Sequence, residues 1–504
     1  MEHRSVIPKI KLLSNKSDVS QDLSNSVIAF QVQKNMNQLA GSFQLVMVPR
    51  QSLESENSQS DSKMLAYIYR NIHPMDLISI GVESDGGIML GIVDNVFRSR
   101  TTYNNQVSSQ IIVRGRDFGK ILIEDNIMTA PASDEGYRLK LEEMLLETNI
   151  VSGMAGEDVT QHPLVNYHTN NRAPQHITAK GDSAGRSFIG TTVSEAVKYI
   201  LKHLTSLRLK MVFDGRKDVS AHELLTYFVD SREGDEIANE SFNRYEGSVG
   251  NFLYSVVDRE LYEIFVETYL EQPALIVRPK PFDRLGDIVT DIGGQKKILN
   301  KSDKFIWDQT KNILNGEYFH EVTEQEIIQL NMGVSDYESF SVYIHHPRYN
   351  ILGAAYDNVR MFFPMHDFFS IKRYGLKVKE TVTNLINLEK DEDTFIKDKP
   401  KKDHAIQGHR DRAFNWYRYN PILESGTVTV RGHDYYKLGD KIKLVDEIAQ
   451  NGQREILGYL TGYSHQWQYG GLFTTTLQLT RGENAKAIAD FANLTNDMVI
   501  RTGI

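Results

Sequence analysis

Two stretches decide how this sequence is interpreted, GIVDNVFRSRTTYNNQVSSQIIVRG at 91–115 and GYLTGYSHQWQYGGLFTTTLQLTRG at 458–482. They align without a gap, and each runs from a glycine through a polar middle to an alternating segment that ends in Arg-Gly. The alignment pairs Gly91 with Gly458, Arg114 with Arg481, and Gly115 with Gly482. Because a recurring order of elements is typical of duplicated architecture, we predict two copies of one structural unit with these six residues as its signature.

Strand signals surround both copies. Residues 27–32 and 43–48 are runs of strand-forming residues before the first copy, and 426–432 is such a run before the second. Turn signals lie between the strands, with Asp-Gly inside 83–87 and Asn-Gly inside 450–453. These dipeptides favour the tight turns of β-hairpins. We therefore predict a small β-barrel or strongly curved sheet near each end of the chain.

The middle of the chain carries helical signals instead. Thr192 and Glu195 form a T-x-x-E capping box, and the apolar residues that follow recur with the spacing of one helical face. A second helix is predicted after Ser248, followed by strands over 261–269 and 274–278. The predicted fold class is therefore α+β and β-rich, with a β-barrel unit near each end and mixed α/β domains between them.

The predicted domains follow from these signals and from changes in composition. They are a first β-barrel unit at 1–125, a polar insertion and helical domain at 126–235, a central α+β domain at 236–388, a charged linker at 389–412, and a second β-barrel unit with a C-terminal helix at 413–504. The linker is predicted because charges of both signs alternate there, as on a solvated surface. The length of 504 residues also exceeds what a single hydrophobic core holds.

Composition disfavours or excludes several classes of function. The chain has 57 basic and 66 acidic residues, and its net charge of −9 disfavours sequence-specific nucleic-acid binding. It contains no cysteine, which excludes disulfides, thiolate catalysis and cysteine-ligated metal centres. No apolar run reaches the length of a membrane helix, and the N-terminus lacks the apolar core of a signal peptide. We expect a soluble protein that does not insert into membranes.

Residues typical of catalysis or metal binding form no coherent site in the sequence. The stretch GDSAG at 181–185 fits the G-x-S-x-G motif around a nucleophile, Ser183, but the buried strand and oxyanion segment that this motif requires are missing around it. His345 and His346 are adjacent and would point to opposite faces of a strand, so they cannot easily share one metal. We predict no catalytic residue, no metal site and no cofactor.

An aromatic cluster near the C-terminus has two interpretations. Tyr463, Trp467 and Tyr469 surround His465 in a predicted strand. On an exposed sheet such a cluster can bind sugar or base rings, whereas more often it packs across strands or forms a protein interface. Two functions therefore stay open at this point: a cell-wall or ester hydrolase acting through Ser183 or an unidentified pair of carboxylates, and a carbohydrate-binding β-domain adhesin.

Four stretches, taken in order, resemble the baseplate hub proteins of contractile-tailed phages and their relatives in tailocins and contractile injection systems. They are a strand followed by Arg-Gly, a helix leading into a hairpin, an Arg-Tyr-Gly segment, and the second β unit. Their residues are 111–118; 249–267 with 275–279; 373–375; and 426–432 with 439–440, 462–465 and 474–482. Each motif is short, and the specific feature is their collinearity over most of the chain.

The resemblance implies a homotrimeric structural hub, not an enzyme, whose subunits each carry two barrels similar to the tail tube protein. Three subunits would present six barrels and join the six-fold tail tube to the three-fold central spike, around a channel for DNA or an effector. The implied partners are the tail tube protein, the central spike protein, other baseplate proteins and the tape measure protein. The implied location is the baseplate of the virion tail, assembled in the host cytoplasm. The net charge of −9 agrees with a channel wall that repels phosphate.

Overall fold

The structure is a computed structural model of the chain. The residues that it describes are 6–13, 21–48, 67–82, 87–103, 106–127, 192–203, 208–209, 219–220, 224–229, 231, 235–237, 247–269, 272–280, 319–347, 364–383, 385–387, 409–414, 416–446, 454–483 and 499–501. Several predictions fall outside these residues. They concern Ser183 and its GDSAG motif, nearly all of the polar insertion at 126–188, the charged run at 389–408, and 484–498, where a C-terminal helix would lie.

The N-terminal part of the chain forms seven described strands. They are β1 (Pro8–Leu13), β2 (Gln21–Asp22), β3 (Val27–Asn35), β4 (Ser42–Met47), β5 (Leu77–Val82), β6 (Gly87–Tyr103) and β7 (Gln106–Asp117). A short 3-10 turn, Ser24–Ser26, precedes β3. In β4 buried residues alternate with less buried ones, which is the pattern of a sheet with one face against a core.

Short helices and strands make up the middle of the chain. They are α1 (Gly119–Glu124), β8 (Asn126–Ile127), α2 (Val193–His203), β9 (Arg208–Leu209), β10 (Val219–Ser220), β11 (Thr226–Val229), β12 (Asp235–Ile237), β13 (Gly247–Ser248), α3 (Val249–Val256), β14 (Tyr262–Tyr269) and β15 (Gln272–Pro279). The two predicted helices are confirmed as α2 and α3. The Ser248 hydroxyl caps α3 by accepting a hydrogen bond from the Asn251 backbone N–H at 3.1 Å.

The C-terminal part returns to strands. They are β16 (Phe319–Val322), β17 (Ile327–Val334), β18 (Val342–Pro347), β19 (Met365–Asp367), β20 (Val378–Thr383), β21 (Leu385–Asn387), β22 (Glu424–Arg431), β23 (Lys441–Asp446), β24 (Arg454–Gln468), β25 (Thr474–Glu483) and β26 (Val499–Arg501). One helix, α4 (Phe368–Tyr374), lies between β19 and β20. The Asp367 side chain caps α4 by accepting from the backbone N–H groups of Phe369 and Ser370.

A single sheet of 13 strands connects the two ends of the chain. Its strands lie in the order β17-β22-β25-β24-β3-β4-β7-β6-β5-β1-β2, while β23 pairs with β24 and with β16. Smaller sheets are formed by β11-β15-β14, by β20-β18-β19-β26, and by the pairs β10-β9, β12-β21 and β13-β8. The described chain is therefore β-rich with few helices, as the sequence predicts.

The large sheet consists of two halves with the same strand order. The N-terminal half, β3-β4-β7-β6-β5-β1, corresponds strand by strand to the C-terminal half, β17-β22-β25-β24-β23-β16. One pairing differs, because β1 is antiparallel to β5 whereas β16 is parallel to β23. The second half includes β16 and β17, although 319–334 falls within the segment predicted as the central domain. That each half closes into a barrel stays a prediction.

Separate apolar clusters stabilise these layers. One consists mainly of residues of the N-terminal half, including Phe30, Leu45 and Val113, and also contains Trp467 and Phe473 from the C-terminal half. Another lies within the C-terminal half and includes Leu444 and Leu477. A third packs α1, α2 and α3 together with β14 and β15 against β5 and β6. Each half of the sheet thus has its own core, as expected for two copies of one unit.

Candidate assembly surface

Gly91 and Gly458 occupy corresponding positions in the two halves. Gly91 pairs with Ile78, the second residue of β5, and Gly458 pairs with Ile442, the second residue of β23. A Cβ on Gly91 would clash with two ring carbons of Phe43. The backbone of β6 therefore approaches that ring too closely for any side chain at this position.

The strand position of Arg114 is occupied by a glutamine in the second half. Arg114 lies opposite Asn95 on one side and Gln44 on the other, and its Nε donates to Gln44 Oε1 at 2.8 Å. Counting from the two glycines, Gly462 of β24 corresponds to Asn95 of β6. Gly462 pairs with Gln478, so Gln478 takes the position of Arg114.

Arg481 and Gly482 lie further along β25, where the sheet is irregular. The pairing of β22 with β25 shifts between Glu424 and Gly426, and Arg481 has a φ of 58°, in the left-handed region. The Arg481 guanidinium lies over the Trp416 ring, 4.0 Å from its centroid. Gly115, in contrast, lies opposite Val93, beside a shift in the pairing of β6 with β7 between Val93 and Asn95. Between the paired residues Gly462 and Gln478 the second hairpin is three residues shorter than the first is between Asn95 and Arg114, and this difference offsets the two Arg-Gly pairs by three residues in strand register.

The strands β3 and β17, which correspond in the two halves, each have a bulge at the same position. Pairing of β3 with β4 shifts between Val27 and Ala29, and pairing of β17 with β22 shifts between Ile327 and Gln329. A 3-10 turn ends immediately before each of these strands. Because a bulge occurs at one defined position in a strand, it aligns β3 with β17 residue by residue. Val27 corresponds to Ile327, and Ala29 to Gln329.

The two halves are joined where β24 pairs with β3. This antiparallel junction runs from the pair Gly462–Asn35 to the pair Gln468–Ala29. Within it the rings of Trp467 and Phe30 stack with centroids 5.8 Å apart and an interplanar angle of 19°. The junction is therefore a ladder of backbone pairs with an aromatic contact on its core side.

Charged side chains are buried beneath this junction. Lys34, paired with Tyr463, places its Nζ 2.9 Å from Glu267 Oε1 and 3.5 Å from Asp117 Oδ2. Burial raises the pKa of the Asp117 carboxyl to about 6. Burial also opposes ionisation of Glu267, but the Lys34 ammonium holds the pKa of Glu267 below its ordinary value. The Tyr463 hydroxyl donates to Glu267 at 3.0 Å, so one carboxylate links β3, β14 and β24.

A second buried ion pair ties β14 and β15 to the C-terminal half. Arg278 donates from Nε to Glu263 Oε2 at 2.9 Å and from Nη2 to the Tyr459 hydroxyl at 2.7 Å. Gly439 has a φ of 85°, and a Cβ there would clash with Arg278 Nη2. Position 439 therefore requires glycine for both its backbone and the close approach of the guanidinium.

The opposite face of the junction is polar and nearly uncharged. Directly paired residues form rows that cross from one half to the other. One row is Gln329, Thr429, Thr476, Ser464, Gln33 and Ser42, and the next is Thr474, Gln466, Gln31, Gln44, Arg114 and Asn95. Charged residues stand at Arg114 in the second row and at the next pairs along both rows, where Ser42 pairs with Arg116 and Thr474 with Arg431. All three are basic. The acidic excess of the chain is therefore not carried by this face, contrary to a wall that repels phosphate.

The aromatic cluster predicted near the C-terminus is mostly buried. Tyr463, His465 and Trp467 are buried, and His465 Nδ1 is 2.8 Å from the Thr475 hydroxyl. Of the four cluster residues, Tyr469 is the exposed one, at 53%. The buried rings pack across strands, which favours the structural interpretation over a sugar-binding platform.

The two adjacent histidines point in opposite directions, as expected on a strand. His345 is buried, whereas His346 is partly exposed and lies 3.0 Å from Glu380. No group of three or more metal-ligating side chains occurs among the residues that the structure describes. In the same part of the chain, no helix combines the length and hydropathy required to cross a bilayer.

Besides β2 and β16, which each pair with a single neighbour, two strand edges of the large sheet have no partner among the described residues. The first is β17, which ends the sheet and pairs with β22 alone. The second is the part of β6 after Asp94. It pairs with β7 on one side and has no neighbouring strand on the other, because the pairing of β6 with β5 ends at Ile92. Leu330 and Val334 on β17 are 37% and 62% exposed, and Phe97 on β6 is 46% exposed. Unpaired edges of this kind pair readily with strands of other chains.

The sequence interpretation missed β17. Its one strong local signal, the T-x-x-E capping box at Thr323 and Glu326, is typical of a helix start and here caps a single 3-10 turn. The residues after it, IIQLNMGV, have a strand-like composition, but their role is visible only in the sheet, where they correspond to β3.

Solved structures similar to this chain are phage tail proteins and proteins of type VI secretion. A tail protein from Neisseria meningitidis MC58 has 9% identity and a TM-score of 0.48, and the match covers 95% of this chain and 97% of that one. The 43 kDa tail protein of prophage MuSo2 from Shewanella oneidensis has 11% identity and a TM-score of 0.44, covering 94% and 98%. The E. coli c3393 protein, described as a component of the type VI secretion system, has 9% identity and a TM-score of 0.40, covering 95% and 78%. No protein-family profile and no curated sequence matches the chain.

Proposed function

We propose that this protein is the structural hub of a contractile tail, a homotrimer that joins the six-fold tail tube to the three-fold central spike. Each half of the large sheet would be one tube-like β-barrel unit, the second formed by β16 and β17 together with 413–483. The remaining elements would brace the two units from outside. The partners we propose are the tail tube protein, the central spike protein, other baseplate proteins and the tape measure protein.

The observation that carries this proposal is the duplicated strand order with its shared bulge. Two equivalent units in one chain are joined edge to edge by β24 and β3. In a ring they would occupy two neighbouring positions. Three chains would then fill six equivalent positions while keeping three-fold symmetry. A chain with this property can contact a six-fold partner on one side and a three-fold partner on the other.

We assign the polar face of the junction to the wall of a channel. Its amides and hydroxyls bond to one another across strands, as Thr429 does to Thr476 at 3.1 Å and Asn35 to Gln478 at 2.8 Å. Most side chains of this face are neutral and engaged in this way, and Arg116 is paired with Asp94 at 2.8 Å, so few fixed charges remain to attract a phosphate backbone or a charged polypeptide. Cargo would therefore pass without strong binding, through neutrality instead of repulsion.

Imaging of the assembled particle tests this function. We expect three copies of this chain in a closed ring between tube and spike, with the two halves alternating around the axis. Light scattering on the full-length chain, alone and with the spike protein, gives the number of chains independently. A two-fold or six-fold arrangement of this chain in the particle would rule out the adapter role.

A parallel assay addresses the hydrolase alternative. Cell-wall material and simple esters are incubated with the full-length chain and with its Ser183→Ala variant. We expect no turnover by either protein and unchanged particle assembly with the variant. Turnover that disappears in the variant would establish an esterase in place of a purely structural hub.

A further inference from the structure

The junction within the chain defines a template for a contact between chains. The proposal here rests on the proposed function and specifies its subunit interface. Since β6 corresponds to β24 and β17 corresponds to β3, the pairing of β24 with β3 has one equivalent pair of strands that does not form among the residues that the structure describes. That pair is β6 and β17, each of which carries an open edge.

We propose that β17 of one subunit pairs antiparallel with β6 of a neighbouring subunit, in the register in which β3 pairs with β24. Gln31 pairs with Gln466 in the junction. Because Gly458 corresponds to Gly91, Gln466 maps onto Ser99. Because Val27 corresponds to Ile327, Gln31 maps onto Asn331. The inferred contact between subunits therefore places Ser99 of one copy directly opposite Asn331 of the next.

On the core side of the contact, the same mapping places one apolar pair together, and it places Arg98 opposite Met332 and Arg100 opposite Leu330. Tyr463 pairs with Lys34 in the junction, and these map onto Val96 and Val334. Val334 is 62% exposed in the single chain, and an antiparallel neighbour would cover it. Leu330, on the same side of β17, would be covered as well. Most residues of β17 are exposed in the single chain, which is the state of a strand that lacks its neighbour.

The polar face would continue across the contact. Asn331 lies beside Thr427, which pairs with Gln478, so these residues already form a row on that face. Ser99 adds a hydroxyl to this row from the neighbouring subunit. A surface of amides and hydroxyls, interrupted by Arg114, Arg116 and Arg431, would then run around the whole ring. The contact joins two different surfaces, so it is heterologous, and it closes only if the rotation between copies completes a circle.

The absence of cysteine from the sequence allows a clean crosslinking test. In the double variant Ser99→Cys with Asn331→Cys, directly opposite Cα atoms would be about 4.5–5.5 Å apart, within the range for a disulfide. The matched control is Ser99→Cys with Leu330→Cys, which shifts one partner by a single residue to the other face of the strand. Oxidation is carried out on the full-length chain in assembled particles and, where light scattering shows association, in solution.

We expect covalent dimers and closed trimers from the Asn331→Cys pair, and about tenfold less product from the Leu330→Cys pair, since that geometry cannot bridge. Each single-cysteine variant should give no trimer. Equal yields from both pairs, no product in assembled particles, or a ladder extending beyond three chains would each overturn the inferred contact. A trimer seen by imaging or scattering that does not crosslink leaves the hub function intact and rejects the register alone. Circular dichroism of the reduced variants checks that both remain folded.

Discussion

Phe30 and Trp467 stack at 5.8 Å although they come from opposite ends of the sequence. Their contact lies within the pairing between β3 and β24, the junction that makes one sheet of the two halves. Lys34, four residues after Phe30, lies over Glu267 and Asp117 on the same side of the sheet. The junction therefore combines an aromatic contact with a buried ionic network.

The first prediction concerns the aromatic contact. Trp467→Ala should lower the free energy of unfolding by about 3–5 kcal/mol, because it removes a large buried ring and leaves a cavity against Phe30. Tyr469→Ala is the control, since Tyr469 is 53% exposed two residues further along and should change stability by less than about 0.5 kcal/mol. Denaturant titration of the full-length variants measures both. Equal effects would show that the stack contributes no specific stability.

The second prediction concerns the pair Lys34–Glu267, whose atoms lie 2.9 Å apart with both side chains buried. Lys34→Met alone should cost about 3–5 kcal/mol, because it leaves the Glu267 carboxylate buried without its cation. Adding Glu267→Gln should restore part of the loss, since no uncompensated charge remains at that site. The double-mutant cycle gives the coupling between the two sites. A coupling near zero would mean that the pair is not an energetic unit.

The third prediction concerns pH. The pKa of Asp117 is raised by burial to about 6, so the folded chain binds this proton more tightly than the unfolded chain, where the ordinary value is 3.8. Asp117 therefore adds stability as the pH falls from about 6 towards 4, by an amount on the order of 2 kcal/mol. Glu267 has the opposite sign, because its lowered pKa makes its contribution disappear only at pH values below its ordinary 4.5.

Asp117→Asn isolates the Asp117 contribution, because asparagine keeps an oxygen that can accept from the Gly119 backbone N–H, a bond of 2.9 Å here. Stability curves of the variant and of the unchanged chain should differ in slope between pH 6 and about 4.5. All other titrating groups are common to both proteins. Parallel curves over that interval would mean that Asp117 does not titrate there.

The fourth prediction compares two glycines with similar backbone angles. Gly470 has a φ of 72° and open space where a Cβ would lie, whereas Gly439 has a φ of 85° and lies against Arg278. Gly470→Ala should cost about 1 kcal/mol, the cost of a left-handed backbone alone. Gly439→Ala should cost about 3 kcal/mol or more, because it displaces Arg278 from the buried Glu263. Thermal and denaturant unfolding of both variants measures the difference, and equal losses would show that the guanidinium simply moves aside.

Local signals in the sequence predicted the elements that local energetics determines. The helix after Ser248 follows from a capping hydroxyl and an apolar face, and both are properties of neighbouring residues. The strands of both β-hairpins follow from alternation, because side chains on successive strand residues point to opposite faces. The pairing of Gly91 with Gly458 was predicted from the gap-free alignment alone; in the structure a ring crowds Gly91, whereas Gly458 has only Leu479 side-chain atoms near the position of a Cβ.

Register and long-range pairing were decided by tertiary structure alone. The strand position of Arg114 is taken by Gln478 and not Arg481, because the second hairpin is three residues shorter than the first between these paired positions, a difference that the gap-free alignment does not contain. Likewise, β17 joins a half of the sheet in which its partner strand begins about a hundred residues later, at Glu424. That pairing is made by backbone hydrogen bonds, which do not depend on the identity of the side chains. The sequence therefore determined which segments are strands, while the partner and register of each strand depended on the fold as a whole.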